Sequence, residues 1–383
     1  MGRIYLDANA TTPVLPEVVE AMRPYWSERF GNASSVHQSG QAARSAVDDA
    51  RESLATLLHC RASEVLFTSG GTESDNLALF GTLNSGDHCI TTAIEHHAVL
   101  HAALELERRG IELTILQPTS QGLIEPAAAQ AALRPNTKLI SVMLANNETG
   151  TLQPIAEIAA IAHSVGALMH TDAVQAVGKI TVDVRHLGCD LLSLSGHKMY
   201  APQGIGVLYL RKGTPLQPLF YGGMHERERR AGTENVPGIV ALGTAASIAA
   251  ADLGPTCNRT EKLRNRLQQQ LLRIPGTCIN GGGDETERLP NTLNLRFADL
   301  DADSLVIALD LQGIEASAGS ACQSGSTEPS HVLLAMGLSG EEAKSSLRLS
   351  LTHHNTAAEI ETAAIAITAC VDRLRSTHFV SLR

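Results

Sequence analysis

Seven short apolar runs, spaced by helical stretches, constrain this chain more than any other feature. They are Val65–Thr68, Cys89–Thr91, Glu112–Leu116, Leu139–Leu144, Leu168–Asp172, Leu191–Ser195 and Ile205–Leu210. Helical periodicity fills the gaps, as in Ala98–Arg109 and Ile155–Val165, and a further helix opens near Thr72. Apolar strands alternating with helices predict a mostly parallel α/β sheet covered on both faces. A helix-rich stretch, Thr233–Ala251, leads to a break at Gly254-Pro255. Beyond it come a polar helix, about Glu261–Arg273, and Asn291–Phe297, which alternates like a half-buried strand. The expected organisation is a large domain over residues 12–254 and a smaller α+β domain built from 1–11 and 255–383.

Composition narrows the function classes. Of 383 residues, 43% are hydrophobic and 18% charged, a globular balance. The net charge of −10 argues against nucleic acid and anionic membrane surfaces, both of which favour a basic face. No apolar run approaches the roughly 20 residues of a spanning helix. The N-terminus has no signal-peptide pattern, and Leu6 stands where a myristoylation signal has a hydroxyl residue. Seven widely spaced cysteines without a C-x-x-C pair predict a reducing, cytoplasmic setting rather than a disulfide framework.

The polar clusters gather at strand ends, where open α/β sheets bind ligands. Lys198 follows one strand in Ser195-Gly196-His197-Lys198, and Asp172 ends another in His170-Thr171-Asp172-Ala173-Val174-Gln175. An amine and a carboxylate so placed suit pyridoxal phosphate (PLP). The amine condenses with the aldehyde, and the carboxylate keeps the ring nitrogen protonated. On spacing alone, a surface lysine beside an unrelated aspartate fits equally well. Ser69-Gly70-Gly71-Thr72 opens a helix and can approach a phosphate. His96 follows a strand and can stack on a ring. Adjacent side chains point apart, so neither His96-His97 nor His353-His354 makes a metal pair, and no metal site is expected.

Two further signals lie downstream. Cys322 sits amid Ser, Gly and Ala in Gly319–Ser326, a loop suited to a nucleophilic thiol. Arg348 lies inside the apolar run Leu347–Leu351 and needs an anionic partner, which its planar fork can grip bidentately. Ser195-x-x-Lys198 and Ser74-Asp75-Asn76 also match pieces of penicillin-recognising enzymes, but their order is reversed and Lys212-Gly213-Thr214 breaks the third motif.

Taken in order, Tyr5-Leu6-Asp7 through Pro13, Thr68 through Asn76, Asn146-Asn147-Glu148-Thr149-Gly150, His170 through Gln175, Ser195 through Lys198, Arg230-Ala231-Gly232-Thr233 and Gly319 through Cys322 resemble cysteine desulfurases of the NifS/IscS type. The resemblance covers nearly the whole chain. It implies the aspartate aminotransferase-like fold type I of PLP enzymes, a homodimer, and conversion of L-cysteine to L-alanine with sulfur left as a persulfide. It makes Lys198 the PLP-bearing lysine and Cys322 the sulfur acceptor. His96 would stack on the ring, Asp172 meet its nitrogen and Gln175 its phenolic oxygen. Gly71, Thr72, Ser195, His197 and the partner subunit's Thr233 would hold the phosphate. Asn147 and Arg348 would hold the substrate carboxylate. The sulfur would pass to an acceptor such as an iron–sulfur scaffold, although the C-terminal tail is short for docking one. Ala33 and the His353-His354 pair depart from the usual pattern. A selenocysteine lyase or aminotransferase of the same fold, and a non-catalytic sulfur-relay protein, are the rival readings.

Overall fold

In the computed structural model the described residues are 2–282, 287–318 and 328–381. A seven-stranded sheet runs in the order Val65–Thr68, Gly206–Leu210, Leu191–Ser195, Leu168–Asp172, Thr137–Ser141, His88–Thr92, Glu112–Leu116. Gly206–Leu210 is antiparallel to both neighbours, and the remaining pairs are parallel. The central runs are apolar because they are buried on both faces. Glu112–Leu116 is the exposed edge, and Glu112 there pairs with Arg134 and Asn136. Charges on an edge discourage pairing with another chain. The strand expected over Leu139–Leu144 is shifted to Thr137–Ser141. The chain then stays buried, with Val142 and Leu144 still donating to His170 and Asp172. All the parallel strands end on one edge of the sheet.

Helices Gln38–Leu58 and Val236–Leu271 cover one face together. They touch at backbone distance, since a Cβ on Gly243 would lie 2.5 Å from the Ala50 Cβ. The expected break at Gly254-Pro255 is not a break. One helix spans Val236–Leu271, and only Asp252 leaves helical geometry, at φ −129 and ψ 17. The departure at Asp252 starts a second helical segment whose first turn holds Pro255, and the Asp252 carboxylate accepts from Thr256 Oγ1 at 2.8 Å. Proline is tolerated there because first-turn N–H groups have no helical partner. Contrary to the sequence expectation, this helix is also long and apolar enough to cross a membrane by length and composition. Its apolarity comes from Val236, Ile239, Val240, Leu242 and Ile248 together with its alanines, and 44% of the apolar stretch is buried inside the protein.

That helix joins two cores. Its first half contributes Val236, Ile239 and Leu242 to the core beneath the large sheet. Its far end gives Leu267 and Leu271 to a second core that also holds Ile4, Leu6 and Leu349. Here a four-stranded antiparallel sheet runs Ser317–Ala318, Ser346–Ser350, Thr292–Phe297, Thr277–Ile279. Thr292–Phe297 is not half-buried as its alternation suggested. Only Arg296 is partly exposed, because Thr292 and Asn294 are buried against the Asn9 side chain and the Glu148 carbonyl.

Candidate active site

The strand ends surround a cavity of about 280 Å³, and most residues singled out from the sequence line it. Gly71 and Thr72 begin the helix Gly71–Phe80 after strand Val65–Thr68. His96 caps the next helix, Asn147 lies in the turn after Thr137–Ser141, and Asp172 ends Leu168–Asp172. Gln175, Ser195, His197 and Lys198 complete the near wall, and Arg348 reaches in from the small sheet. Gly71 is forced: a Cβ there would come within 2.7 Å of Val174. Gly70, at φ +154, takes a conformation that favours glycine, and a Cβ on Gly206 would sit 2.6 Å from its Cα. This leaves the helix N-terminus close to Ser195.

Lys198 Nζ donates to the main-chain carbonyls of Asn9 and Ala10, at 2.5 and 2.7 Å. Asp172 Oδ1 accepts from Val174 N at 2.9 Å. Burial pushes its carboxyl up to about 6, although Val174 and Lys198 favour the charged form. Buried Asp75 stands beside it, and burial plus the Asp172 charge raise its carboxyl well above the usual range. Two carboxyls so close do not both ionise readily. Asp75 therefore keeps the proton and Asp172 carries the charge. His170, buried beneath them, is pushed down to about 3 by burial, so it is a neutral bridge between Ser141 and Ser193. Burial, with the Lys198 charge, lowers His96 to about 4. Its Nδ1 accepts from Ala98 N at 3.1 Å, which puts the proton of the neutral ring on Nε2.

Arg348 is the largest fully buried side chain. Nη2 donates to Asp7 Oδ1 at 2.8 Å and Nη1 to the Asn147 carbonyl at 3.2 Å. Its Nε and Asn147 Oδ1 are buried without a hydrogen-bond partner. The anion expected for this arginine is Asp7, with room for another beside it.

Sequence reasoning missed several residues. Asp75, His96 and Asp172 bring one donor atom each within 4.8 Å of one another, a grouping that can in principle hold a cation. Asp75 belongs both to the rival motif and to the run Thr68–Asn76 that carries the resemblance, with no role given to it, and no metal site was expected. Asn9 was quoted without a role, yet its carbonyl receives Lys198 and Gln175, and its amide reaches Asn147 and Thr292. Nothing local in the sequence marks it. Thr233 is exposed on a loop and does not line the cavity. Cys322 lies outside the described residues.

The residues present fit PLP. A protonated ring nitrogen suits the charged Asp172, a flat ring suits the neutral His96, and a phosphate suits the glycine-lined helix start with Ser195 and His197. Asp75 Oδ1, buried beside Asp172 without a hydrogen-bond partner, leaves a polar group on this wall for a bound ligand to meet.

The aminotransferase class V family profile matches residues 4–362, and the chain belongs to that family. Within it the chain stands with the cysteine desulfurases. It is 48% identical to "Cysteine desulfurase IscS" of Methanosarcina thermophila, over 97% of this chain and 93% of that one. The corresponding protein of Dictyoglomus turgidum is 44% identical over 97% of this chain and 95% of its own length. Among solved structures, a "NIFS-LIKE PROTEIN" superposes with a TM-score of 0.91 at 36% identity, over 97% of this chain and 100% of that one. "SspA in complex with cysteine" has a TM-score of 0.81 at 37% identity, over 92% and 100%. The architecture is the α/β fold type I of PLP enzymes.

Proposed function

We propose that this protein is a PLP-dependent cysteine desulfurase that converts L-cysteine to L-alanine and holds the sulfur on Cys322 as a persulfide. The observation that carries it is the meeting of Lys198, Asp172, His96 and Arg348 around one cavity. When bound, PLP supplies an aldehyde and a protonated ring that draws electron density from the substrate Cα. Asp172 would keep that ring protonated, and Gln175 would meet its phenolic oxygen. Gly71, Thr72, Ser195 and His197 would hold the phosphate. Arg348 and Asn147 orient the substrate carboxylate. Lys198, resting on the Asn9 and Ala10 carbonyls, moves the Cα proton. The neutral His96 would stack on the ring and could donate its Nε2 proton. The Cys322 thiolate attacks the substrate sulfur: an S–S bond forms, the substrate C–S bond breaks, and its electron pair stays with the substrate carbon, which takes up a proton to become the alanine methyl.

The active unit is proposed to be a homodimer. Phe220, Tyr221 and Met224 are exposed on the loop that also carries Thr233, and Trp26, Phe30 and Val36 are exposed as well. The three exposed apolar side chains on one loop are the kind of surface a second copy would cover. A second copy there would bring Thr233 to the phosphate of its partner. The large domain is taken as 12–254 and the small one as 1–11 with 255–383, the two cores sharing the helix Val236–Leu271. An iron–sulfur scaffold is the proposed sulfur acceptor, and the cytoplasm the proposed compartment.

The purified protein should be yellow and should form alanine and sulfide one for one from L-cysteine under reductant. Lys198→Ala should lose both properties. Colourless wild type that stays inactive after PLP is added would refute the reading. Sedimentation should show a dimer, and a fully active PLP-loaded monomer would remove the role given to Thr233.

A further inference from the structure

Lys179 stands behind the cavity wall, and the proposed reaction leaves it unused. It follows Gln175 by one helical turn's spacing on the segment after strand Leu168–Asp172. Its Nζ lies 2.8 Å from Gln175 Oε1 and 3.2 Å from Asn9 Oδ1. A lysine nitrogen, protonated or neutral, has at least two N–H groups, so it can donate to both oxygens. This settles the orientation of two carboxamides whose oxygen and nitrogen otherwise look alike. Gln175 Oε1 is committed to Lys179. Its Nε2 donates one N–H to the Asn9 carbonyl at 3.0 Å, the same carbonyl that receives Lys198. The second N–H has no protein acceptor among the described residues, and Gln175 lines the cavity. Asn9 is fixed in the same way, because Asn291 Nδ2 also donates to its Oδ1 at 3.0 Å.

We propose that Lys179 is a positioning residue that locks Gln175 as a donor toward the cavity, so that this wall recognises an oxygen acceptor on the cofactor ring. The inference rests on the cofactor placement proposed above. The chemistry supports it from both sides. Without Lys179, the buried Oε1 would lose its partner, and only the Asn9 carbonyl would oppose a turned amide that presents an acceptor to the cavity. With an ammonium at Lys179, that flip would also set N–H against N–H. The charged groups facing Lys179 are Lys198 and Arg348, and together with burial they push its ammonium well below the ordinary lysine value. A neutral amine there still serves both oxygens.

The test is PLP binding to stripped apoprotein, followed by visible absorbance rather than by turnover. Lys179→Met removes both donations at similar length. It should weaken PLP binding by about tenfold or more, the scale for an orphaned buried acceptor. In a Gln175→Ala background the same change should have less than about a twofold effect, because the lysine acts through that amide. Equal losses in both backgrounds, or wild-type affinity in Lys179→Met, would overturn the proposal. Gln175→Glu is the second variant. It keeps Lys179 paired but offers only acceptors to the cavity, so PLP binding should again fall about tenfold. Wild-type affinity in Gln175→Glu would overturn the proposal even if Lys179→Met failed to fold. Wild-type protein that binds no PLP would instead overturn the functional reading itself.

Discussion

Replacing Arg348 by lysine keeps a positive charge at the cavity and removes the planar fork. In the wild type the guanidinium is already held from two sides, by Asp7 Oδ1 at 2.8 Å and the Asn147 carbonyl at 3.2 Å, with Nε left over and buried. Those contacts fix the plane of the group, so a substrate carboxylate meets a donor edge that needs no reordering. A lysine at this position is a point charge with one direction of reach, and Asp7 competes for it. The substrate then loses one charge-assisted hydrogen bond, worth about 1.5–3 kcal/mol. That corresponds to roughly a 10–150-fold fall in kcat/KM for L-cysteine, at about 1.4 kcal/mol per factor of ten. PLP content should stay at the wild-type level, because Arg348 approaches from the small sheet and not from the strand ends that hold the ring. The assay is alanine formation against cysteine concentration, with cofactor content measured on the same sample. An unchanged kcat/KM in PLP-loaded Arg348→Lys would show that the arginine serves only to hold Asp7 and the Asn147 turn.

Cys322→Ser should stay yellow and bind cysteine, yet release almost no sulfide; brief cysteine treatment of wild type without reductant should add about 32 Da, one sulfur, to the peptide holding Cys322. Sulfur found on another cysteine would reassign the acceptor. Burial raises the Glu95 carboxyl to about 8, against an unfolded value of about 4.3, so the folded state holds a proton that the unfolded chain has lost. Its contribution to stability is thus present at low pH and lost as pH rises from about 4.3 through about 8. Urea melts of apoprotein across pH 5–8 should show Glu95→Gln removing up to about 1.4 kcal/mol per pH unit of downward slope, and identical slopes would refute the assignment.

Much of the site was readable because its residues belong to local patterns. Lys198 and Asp172 each close an apolar run, and parallel strands ending on one edge bring such residues together whatever the connecting helices do. Arg348 was readable for a different reason: a guanidinium in an apolar strand requires an anion. Its partner was not readable, since Asp7 lies 341 positions away and carries no periodic signal. The same holds for Asn9, whose partners come from the segments of Asn147, Gln175, Lys198 and Thr292. Pro255 misled in the opposite sense. Its local rule is a helix stop, but the non-helical geometry of Asp252 places it in a first turn where the rule does not apply.

Asn9 also explains why the two cores need not be joined only by the long helix. Ile4 and Leu6 are packed in the small core, and Ser350 of the small sheet accepts from Asn9 N at 2.9 Å. Three residues on from Leu6, at Asn9, the chain has left that core and enters the cavity wall. The carbonyls that position Lys198 therefore belong to a segment anchored in the small domain, as does Arg348. A shift of one core against the other would disturb the Lys198 amine and Arg348 in the same movement. The proposed proton-moving group and the proposed carboxylate grip are in this way tied to a single reference, which neither strand-end chemistry nor helix periodicity could have disclosed.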